Sequence, residues 1–339
     1  MIKIVSVTGA CACLAILLAH AGTPARTPAA LEQAVASPRE AKPEGLRVTL
    51  LGTGVGPPVR LDQFGASTLV EAGGKRLLFD CGRGATIRLV QAGVPTSSIS
   101  RVFLTHLHSD HVLQLPDLLL TGWVGAPGGS VQGGSVPGRA VPLEVWGPDG
   151  TRDMMSALET AFAFDIHMRR DVDEKLSAEG IGVRSHDVKE GVVLDQDGVK
   201  VTAFLVDHGP VVPAFGYRVD YRGHSVALSG DTRLSENLIQ HAAGVDVLIH
   251  EAYDAVVARA RSTNLALTEA VIAHHATPEQ AGQVFARVKP RLAVYSHAPA
   301  TPSVMDQTRK TYAGPLEGAE DLLTIEIGDQ INVRHFVWK

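Results

Sequence analysis

The chain has 339 residues, with 31 Lys and Arg against 36 Asp and Glu, and 14 histidines. A hydrophobic content of 45% with 20% charged residues is close to the average of globular proteins, which excludes disorder over most of the chain. The formal net charge of −5 argues against the broadly basic surface that binds nucleic acids or anionic membranes. Three cysteines are too few for a disulfide framework, so the histidines are the unusual feature of the composition.

The N-terminus has the layout of a secretory signal peptide over residues 1–21. A short basic start precedes an apolar run over Ile4–Ala19, and the run ends in an A-x-A pattern of small residues. About 16 apolar residues are short for a membrane span, which needs roughly 20. The sequence therefore predicts a periplasmic or secreted protein with no membrane segment after cleavage. Residues 22–45 are rich in Ala and Pro and predict a flexible tether before one folded domain over residues 46–339.

Beyond the tether, strand patterns alternate with short helix patterns. Apolar and β-branched runs between turn signals predict strands at Arg47–Leu51, Ser67–Ala72, Arg76–Phe79, Arg101–Thr105, Leu143–Trp146, Val199–Val206, Phe215–Tyr221, Ser225–Leu228, Val245–Ile249, Leu292–Tyr295 and Ile331–Phe336. Helical patterns occur at Thr86–Ala92, Asp153–Phe164 and Pro278–Val288. Hairpin-linked strands mixed with helices predict a layered α/β fold rather than a simple doubly wound sheet.

A histidine-rich loop, THLHSDH at residues 105–111, directly follows one of the predicted strands. At positions i and i+2 of an extended segment, His106 and His108 point the same way and can bind one metal ion. Asp110 and His111 follow as the loop turns and can face a second metal ion. Imidazole and carboxylate groups suit zinc and leave coordination positions for water. The alternative of a solvated histidine-rich loop does not account for this spacing.

The HxHxDH motif resembles the signature of the metallo-β-lactamase superfamily. Three later segments fit the pattern of that family, each after an apolar run: DHG at 207–209, GDT at 230–232 and SH at 296–297. The resemblance implies a four-layer αββα fold with the metal site at the edge of two sheets. It also implies two zinc ions, with Mn or Fe as alternatives. One ion would be bound by His106, His108 and His208, the other by Asp110, His111 and His297, and Asp231 would bridge them.

Other motifs resemble the transfer-RNA 3′-processing nuclease (tRNase Z) branch of that superfamily. Asp80, in the segment FDCG, is similar to the aspartate that orients a ligand histidine in this branch. HEA at 250–252 resembles its His-Glu-Ala-Thr motif, and HAT at 275–277 resembles its His-Ser-Thr motif. The resemblance implies that His275, supported by Glu251, protonates the leaving oxygen. In the hydrolysis that we expect, Asp110 orients the attacking hydroxide as well as binding metal.

Two further histidines compete for these roles. His186 is an alternative third ligand of the first metal ion, but His208 precedes the segment FGYR, an arrangement that resembles the nuclease branch. His274 is the less favoured neighbour of His275 for the role of general acid. A binding module that had kept only the fold would predict lost ligands, whereas all the expected ligands are present.

Departures from the nuclease pattern favour a small substrate. Only Val219–Ser229 lies between GYR and GDT, where the nuclease carries a longer insertion, and residues 125–138 hold no charged side chain to bind a phosphate backbone. The sequence therefore predicts an exported hydrolase that cleaves a small anionic ester, an aryl sulfate or a phosphodiester, by a metal-bound hydroxide and without a nucleic-acid partner. A tRNase Z-like endoribonuclease and a lactonase or thioester hydrolase are the alternatives. Related folds often form homodimers, and the sequence leaves that open.

Overall fold

The computed structural model describes residues 45–129 and 133–337. The predicted signal peptide over residues 1–21 lies outside the described residues, and so does the predicted tether apart from Gly45. No helix in the described ranges combines the length and the apolar character that a membrane span requires.

The described part of the chain folds into two β-sheets. Its strands, in chain order, are β1 (Leu46–Gly52), β2 (Ser67–Ala72), β3 (Lys75–Phe79), β4 (Arg101–Phe103), β5 (Leu143–Gly147), β6 (Val183–Asp187), β7 (Gly191–Gln196), β8 (Val199–Leu205), β9 (Phe215–Tyr221), β10 (His224–Leu228), β11 (Val247–His250), β12 (Leu292–Tyr295), β13 (Leu316–Glu317), β14 (Thr324–Ile327) and β15 (Ile331–Arg334). The first sheet has the order β15-β14-β1-β2-β3-β4-β5-β6, and the second has the order β13-β12-β11-β10-β9-β8-β7.

Helices connect the strands and cover the outer faces of both sheets. They are α1 (Ala85–Gln91), α2 (Ser109–Val112), α3 (Leu115–Val124), α4 (Thr151–Ala161), α5 (Ala163–His167), α6 (Ala178–Ile181), α7 (Glu236–His241), α8 (Ala255–Arg261), α9 (Leu265–Ile272), α10 (Pro278–Val288) and α11 (Pro302–Thr308). A short 3₁₀ helix at Thr96–Ser98 and a π-helical turn at Met168–Val172 complete the set in the described ranges.

The core has three layers of apolar side chains because residues along each strand alternate between the two faces of its sheet. Leu77 and Phe79 of β3 face the second sheet, where the Phe79 ring lies 5.4 Å from that of Tyr217. Leu78, between them, packs under the helices of the first sheet. Phe285 of α10 belongs to the third cluster, on the outer face of the second sheet. Each fully buried large apolar side chain stabilises the fold by about 1.5–3 kcal/mol.

These layers confirm the predicted four-layer αββα fold. The predicted ranges of β9, β12 and α10 agree with the structure to the residue. Thr277 caps α10, since its hydroxyl accepts from the Gln280 backbone N–H while the Gln280 side chain accepts from the N–H of Thr277. The helix predicted at Asp153–Phe164 is instead two helices, α4 and α5, because Phe162 leaves the helical conformation between them.

The topology brings five strand ends to one edge of the molecule. Strands β10, β11 and β12 are parallel, and β8 has the same direction because both β8 and β10 pair antiparallel with β9. The segments that leave the carboxyl ends of these strands, together with the segment that leaves β4, carry the candidate functional side chains. They are His106 after β4, His208 after β8, Asp231 after β10, Glu251 after β11 and His297 after β12.

Candidate metal centre

The structure brings all the ligands predicted from the sequence together at this edge. They form two adjoining groups whose ligand atoms lie within 4.8 Å of one another in each group. All of these ligands are buried except His108, which is exposed. The first group is His106, His108 and His208, and the second is Asp110, His111 and His297.

Within the first group, Nε2 of His208 lies 3.4 Å from Nδ1 of His108. The His106 and His108 rings meet edge to face with their centroids 4.6 Å apart. Within the second group, Nε2 of His297 lies 3.2 Å from Oδ2 of Asp110. Each group therefore directs its nitrogen and oxygen atoms towards a common point.

Asp231 lies between the two groups. Its Oδ2 atom is 3.8 Å from Nε2 of His106 and 3.4 Å from Nε2 of His111, which belong to different groups. Its Oδ1 atom is 3.2 Å from Nδ1 of His297. One carboxylate thus contacts both groups, which is the geometry required of a bridging ligand.

Several of these atoms are buried without a hydrogen-bond partner in the described structure: His106 Nε2, His111 Nε2, Asp231 Oδ1 and His297 Nδ1. Buried polar atoms without a partner are rare and costly in folded proteins. Here they converge on one space and consist of the imidazole nitrogen and carboxylate oxygen donors that zinc prefers. The two groups therefore suit a dinuclear metal site.

Asp80 orients two of the histidines through contacts on the side of each ring that faces away from the site. Its Oδ2 atom lies 2.8 Å from Nδ1 of His111, and it also accepts from the hydroxyl of Thr105 at 2.9 Å. That hydroxyl lies 3.0 Å from Nδ1 of His106. Since Thr105 donates to Asp80, its oxygen accepts the Nδ1 proton of His106. Both rings thereby present Nε2 to the site, as expected for metal-binding histidines supported by a carboxylate.

Burial and neighbouring charged groups shift the pKa values of the side chains in the site. Burial would by itself raise the pKa of Asp110, but the hydrogen bond from His297 and the neighbouring His111 lower it to about 2. Burial likewise opposes ionisation of Asp231, yet His297 and His111 keep its pKa well below the usual range. Burial lowers the pKa of His106 and His208, which favours the neutral imidazole that binds a metal ion.

Neither of the two competing histidines belongs to the ligand groups. His186 is exposed on the edge strand β6, where its ring stacks on Trp146 at 4.9 Å, and it takes no part in the cluster. His274 contributes its backbone carbonyl, which accepts from Nδ1 of His208 at 2.9 Å. This contact leaves Nε2 of His208 facing the first group.

His275 and Glu251 form a buried pair beside the two groups, with Nδ1 of His275 3.0 Å from Oε1 of Glu251. Burial would lower the pKa of His275, but the charge and hydrogen bond of Glu251, with Asp231 nearby, raise it to about 9. Glu251 also accepts from the backbone N–H of Thr232 at 2.9 Å. Glu251 therefore acts as a fixed hydrogen-bond acceptor for Nδ1 of His275.

Two features differ from the sequence interpretation or were not foreseen. Tyr217, in the segment FGYR, is fully buried and donates to the carbonyl of Leu104 at 2.8 Å. The backbone N–H of Gly56, in the loop after β1, lies 3.2 Å from Nε2 of His297. The Gly- and Pro-rich composition of that loop is the only sequence signal for this close approach.

Comparison with known proteins agrees with this geometry. The family model described as "Beta-lactamase superfamily domain" matches residues 75–298, which include every candidate ligand. A ribonuclease Z from Mycobacterium avium strain 104 is 36% identical over 290 residues, covering 83% of this chain and 98% of the relative. A ribonuclease Z from Mycobacterium sp. strain KMS is 42% identical over 207 residues, 61% of this chain and 68% of the relative.

The solved structure of the metallo-β-lactamase fold protein YhfI from Bacillus subtilis has a TM-score of 0.62 to this chain, at 19% identity, and the match covers 83% of this chain and 98% of that one. This likeness shows the fold.

The prediction of a small ester substrate and no nucleic-acid partner is wrong, because relatives matched over nearly their whole length are ribonucleases by name. The net charge of −5 describes the whole chain, whereas a nucleic acid meets one local surface. None of the relatives named above supports aryl sulfate hydrolysis.

The chain belongs to the metallo-β-lactamase superfamily and, within it, to the ribonuclease Z family.

Proposed function

We propose that this protein is a metal-dependent phosphodiesterase that cleaves RNA as an endoribonuclease. The observation that carries the proposal is the pairing of two ligand groups through Asp231, with the His275–Glu251 pair beside them. Membership of the ribonuclease Z family supports the choice of RNA among phosphodiesters. A phosphodiester suits such a site because its charged oxygens need cations and its leaving oxygen needs a proton.

In this proposal His106, His108 and His208 bind one metal ion, and Asp110, His111 and His297 bind the other, with Asp231 shared. The donor set favours zinc. Two divalent ions held there would stabilise the negative charge of the phosphodiester and lower the pKa of a bound water molecule.

The chain's own side chains supply the remaining parts of the reaction. Asp110, a member of the second group, also orients the attacking water through its carboxylate. His275 donates a proton to the leaving oxygen of the cleaved bond. Because Nδ1 of His275 is bonded to Glu251, the transferred proton comes from Nε2. Glu251 stabilises the protonated ring before transfer and keeps it in one orientation.

A substrate panel with the full-length protein tests the proposal. We expect hydrolysis of bis(p-nitrophenyl) phosphate and of an RNA hairpin that carries a single-stranded 3′ extension, and no hydrolysis of p-nitrophenyl sulfate. Metal analysis of the same preparation should give about two divalent ions per chain. Turnover of an acyl lactone without turnover of either phosphodiester would contradict the proposal.

The place where this activity operates is a separate question. The basic start and apolar run of residues 1–21 predict export, which remains a prediction. Fusion of residues 1–45 to a reporter that folds only outside the cytoplasm tests it. An active reporter is expected, and an inactive reporter that accumulates in the cytoplasm would contradict it.

A further inference from the structure

A cavity of about 250 Å³ lies against Asp110 at the side of the candidate metal centre. One wall is the loop between β1 and β2, and the other is formed by the start of α1 and the residues that follow α2. The apolar side chains that line it include Val59, Leu61, Ile87 and Leu113. The cavity therefore adjoins the candidate metal centre at Asp110, one of the proposed ligands.

These apolar side chains are exposed to solvent: Val59 is 72% exposed, Leu61 93%, Ile87 53% and Leu113 46%. Single exposed apolar residues are common on protein surfaces, but a group of them around one concave space marks a binding site. Burial against a ligand would remove this apolar surface from water. The cavity thus suits a group with an apolar face.

A positive charge accompanies the apolar walls. Arg83 also lines the cavity, and its Nη1 atom donates to the carbonyl of Pro57 at 3.1 Å. Across the described ranges of the chain, no carboxylate forms an ion pair with Arg83. A carbonyl does not neutralise a guanidinium group, so the charge stays available to an anion. Arg60, by contrast, is paired with Asp62.

We propose that this cavity binds the nucleobase of a nucleotide next to the scissile phosphodiester, with Arg83 facing a backbone phosphate. The inference rests on the proposed function and extends it to a feature of the substrate. A volume of about 250 Å³ lies below the roughly 300–1,000 Å³ of pockets that enclose drug-sized ligands, so one planar ring system fits better than several nucleotides. Apolar walls contact the face of any base and read no sequence.

The experiment uses the RNA hairpin with a single-stranded 3′ extension, after its cleavage point has been mapped with the wild-type protein. Each nucleotide flanking that point is replaced in turn by an abasic nucleotide. We expect one replacement to lower kcat/KM by about tenfold, which is typical for the loss of one base contact. The double variant Ile87→Ser with Leu113→Ser should lower kcat/KM for the intact RNA by a similar factor, through KM, and leave the abasic RNA unaffected.

The matched control is the double variant Val141→Ser with Val192→Ser, since these side chains are 53% and 58% exposed and lie outside the cavity. It should retain wild-type kinetics on both RNAs. The inference alone is overturned if the wild-type protein cleaves intact and abasic RNA equally well, or if the cavity variant loses activity equally on both. If the wild-type protein cleaves neither RNA nor bis(p-nitrophenyl) phosphate, both the proposed function and this inference fall.

Discussion

Nδ1 of His275 lies 3.0 Å from Oε1 of Glu251, and this contact is buried beside the candidate metal centre. The carboxylate is itself fixed by the backbone N–H groups of Thr232 and Ala276. A carboxylate held in this way orients the imidazole and stabilises its protonated form. The geometry suits the proposed roles of His275 as general acid and Glu251 as its positioning residue, which kinetics with different leaving groups can test.

The first prediction concerns His275→Ala. We expect a loss of about 10²–10⁴-fold in kcat on RNA, because a ribose oxygen needs a proton as it leaves. The loss on bis(p-nitrophenyl) phosphate should be less than about tenfold, because p-nitrophenolate leaves without one. The metal content should not change. His274→Ala is the matched control, since this residue acts through its backbone carbonyl and should stay near wild type. Equal losses on both substrates would rule out proton donation by His275.

The second prediction concerns Asp231→Ala. Since Asp231 contacts both ligand groups, its loss should lower the metal content from about two ions per chain to below one and abolish hydrolysis of both phosphodiesters. Metal analysis after dialysis and a rate assay measure the two effects. Asp207→Ala is the control, because Asp207 is an exposed carboxylate near His208 that pairs with Arg233. An Asp231→Ala protein that keeps two ions and full activity would rule out the shared ligand.

The sequence predicts which side chains converge at this edge, because their positions depend on local order along the chain. His106 to His111 form one compact motif, and the later ligands directly follow apolar runs that become the strands β8, β10 and β12. The end of each strand can be read from where its apolar run stops. The directions of the strands then bring these ends to one edge of the molecule. Their assignment to particular metal ions came from the family resemblance, and the structure brings the same residues together.

Other features could not be read from the sequence. Helix α9 reads LALTEAVI, in which the apolar residues are not confined to one face, so no helical periodicity identifies it. The structure buries none of its residues. The edge strand β6 lacks an alternating pattern because its residues are mostly exposed. The contact of Gly56 with His297 joins segments that are 241 residues apart, and it depends on how one loop packs. The prediction of a small substrate was wrong for a similar reason, since the net charge of the chain carries no information about the charge of a local surface.

The third prediction concerns Asp80→Ala. Asp80 bonds Nδ1 of His111 and, through Thr105, orients His106, so its removal should weaken metal binding by about 10–100-fold. Competition with a chelating indicator measures the affinity. Asp80→Asn keeps one oxygen acceptor at this position and should recover part of the affinity. Unchanged binding in the alanine variant would show that the histidines keep their orientation without Asp80.

The last prediction concerns Asp321, which fixes both ends of the loop that approaches His297. One oxygen accepts from the backbone N–H and hydroxyl of Thr53 at 2.9 and 2.8 Å, and the other accepts from the N–H of Phe64 at 2.8 Å. The second oxygen also forms a buried ion pair with Arg88 at 2.8 Å, where the side chains are only 3% and 4% exposed.

Asp321→Ala should therefore lower the free energy of unfolding by about 3–5 kcal/mol, because it leaves a buried guanidinium group facing a site that has lost its carboxylate. Urea denaturation of the full-length protein measures the change. Lys310→Ala removes one partner of the exposed ion pair with Glu279 and should cost less than about 1 kcal/mol, which makes it the control. If Asp321→Ala is no more destabilising than Lys310→Ala, the loop is held by its apolar contacts rather than by this carboxylate.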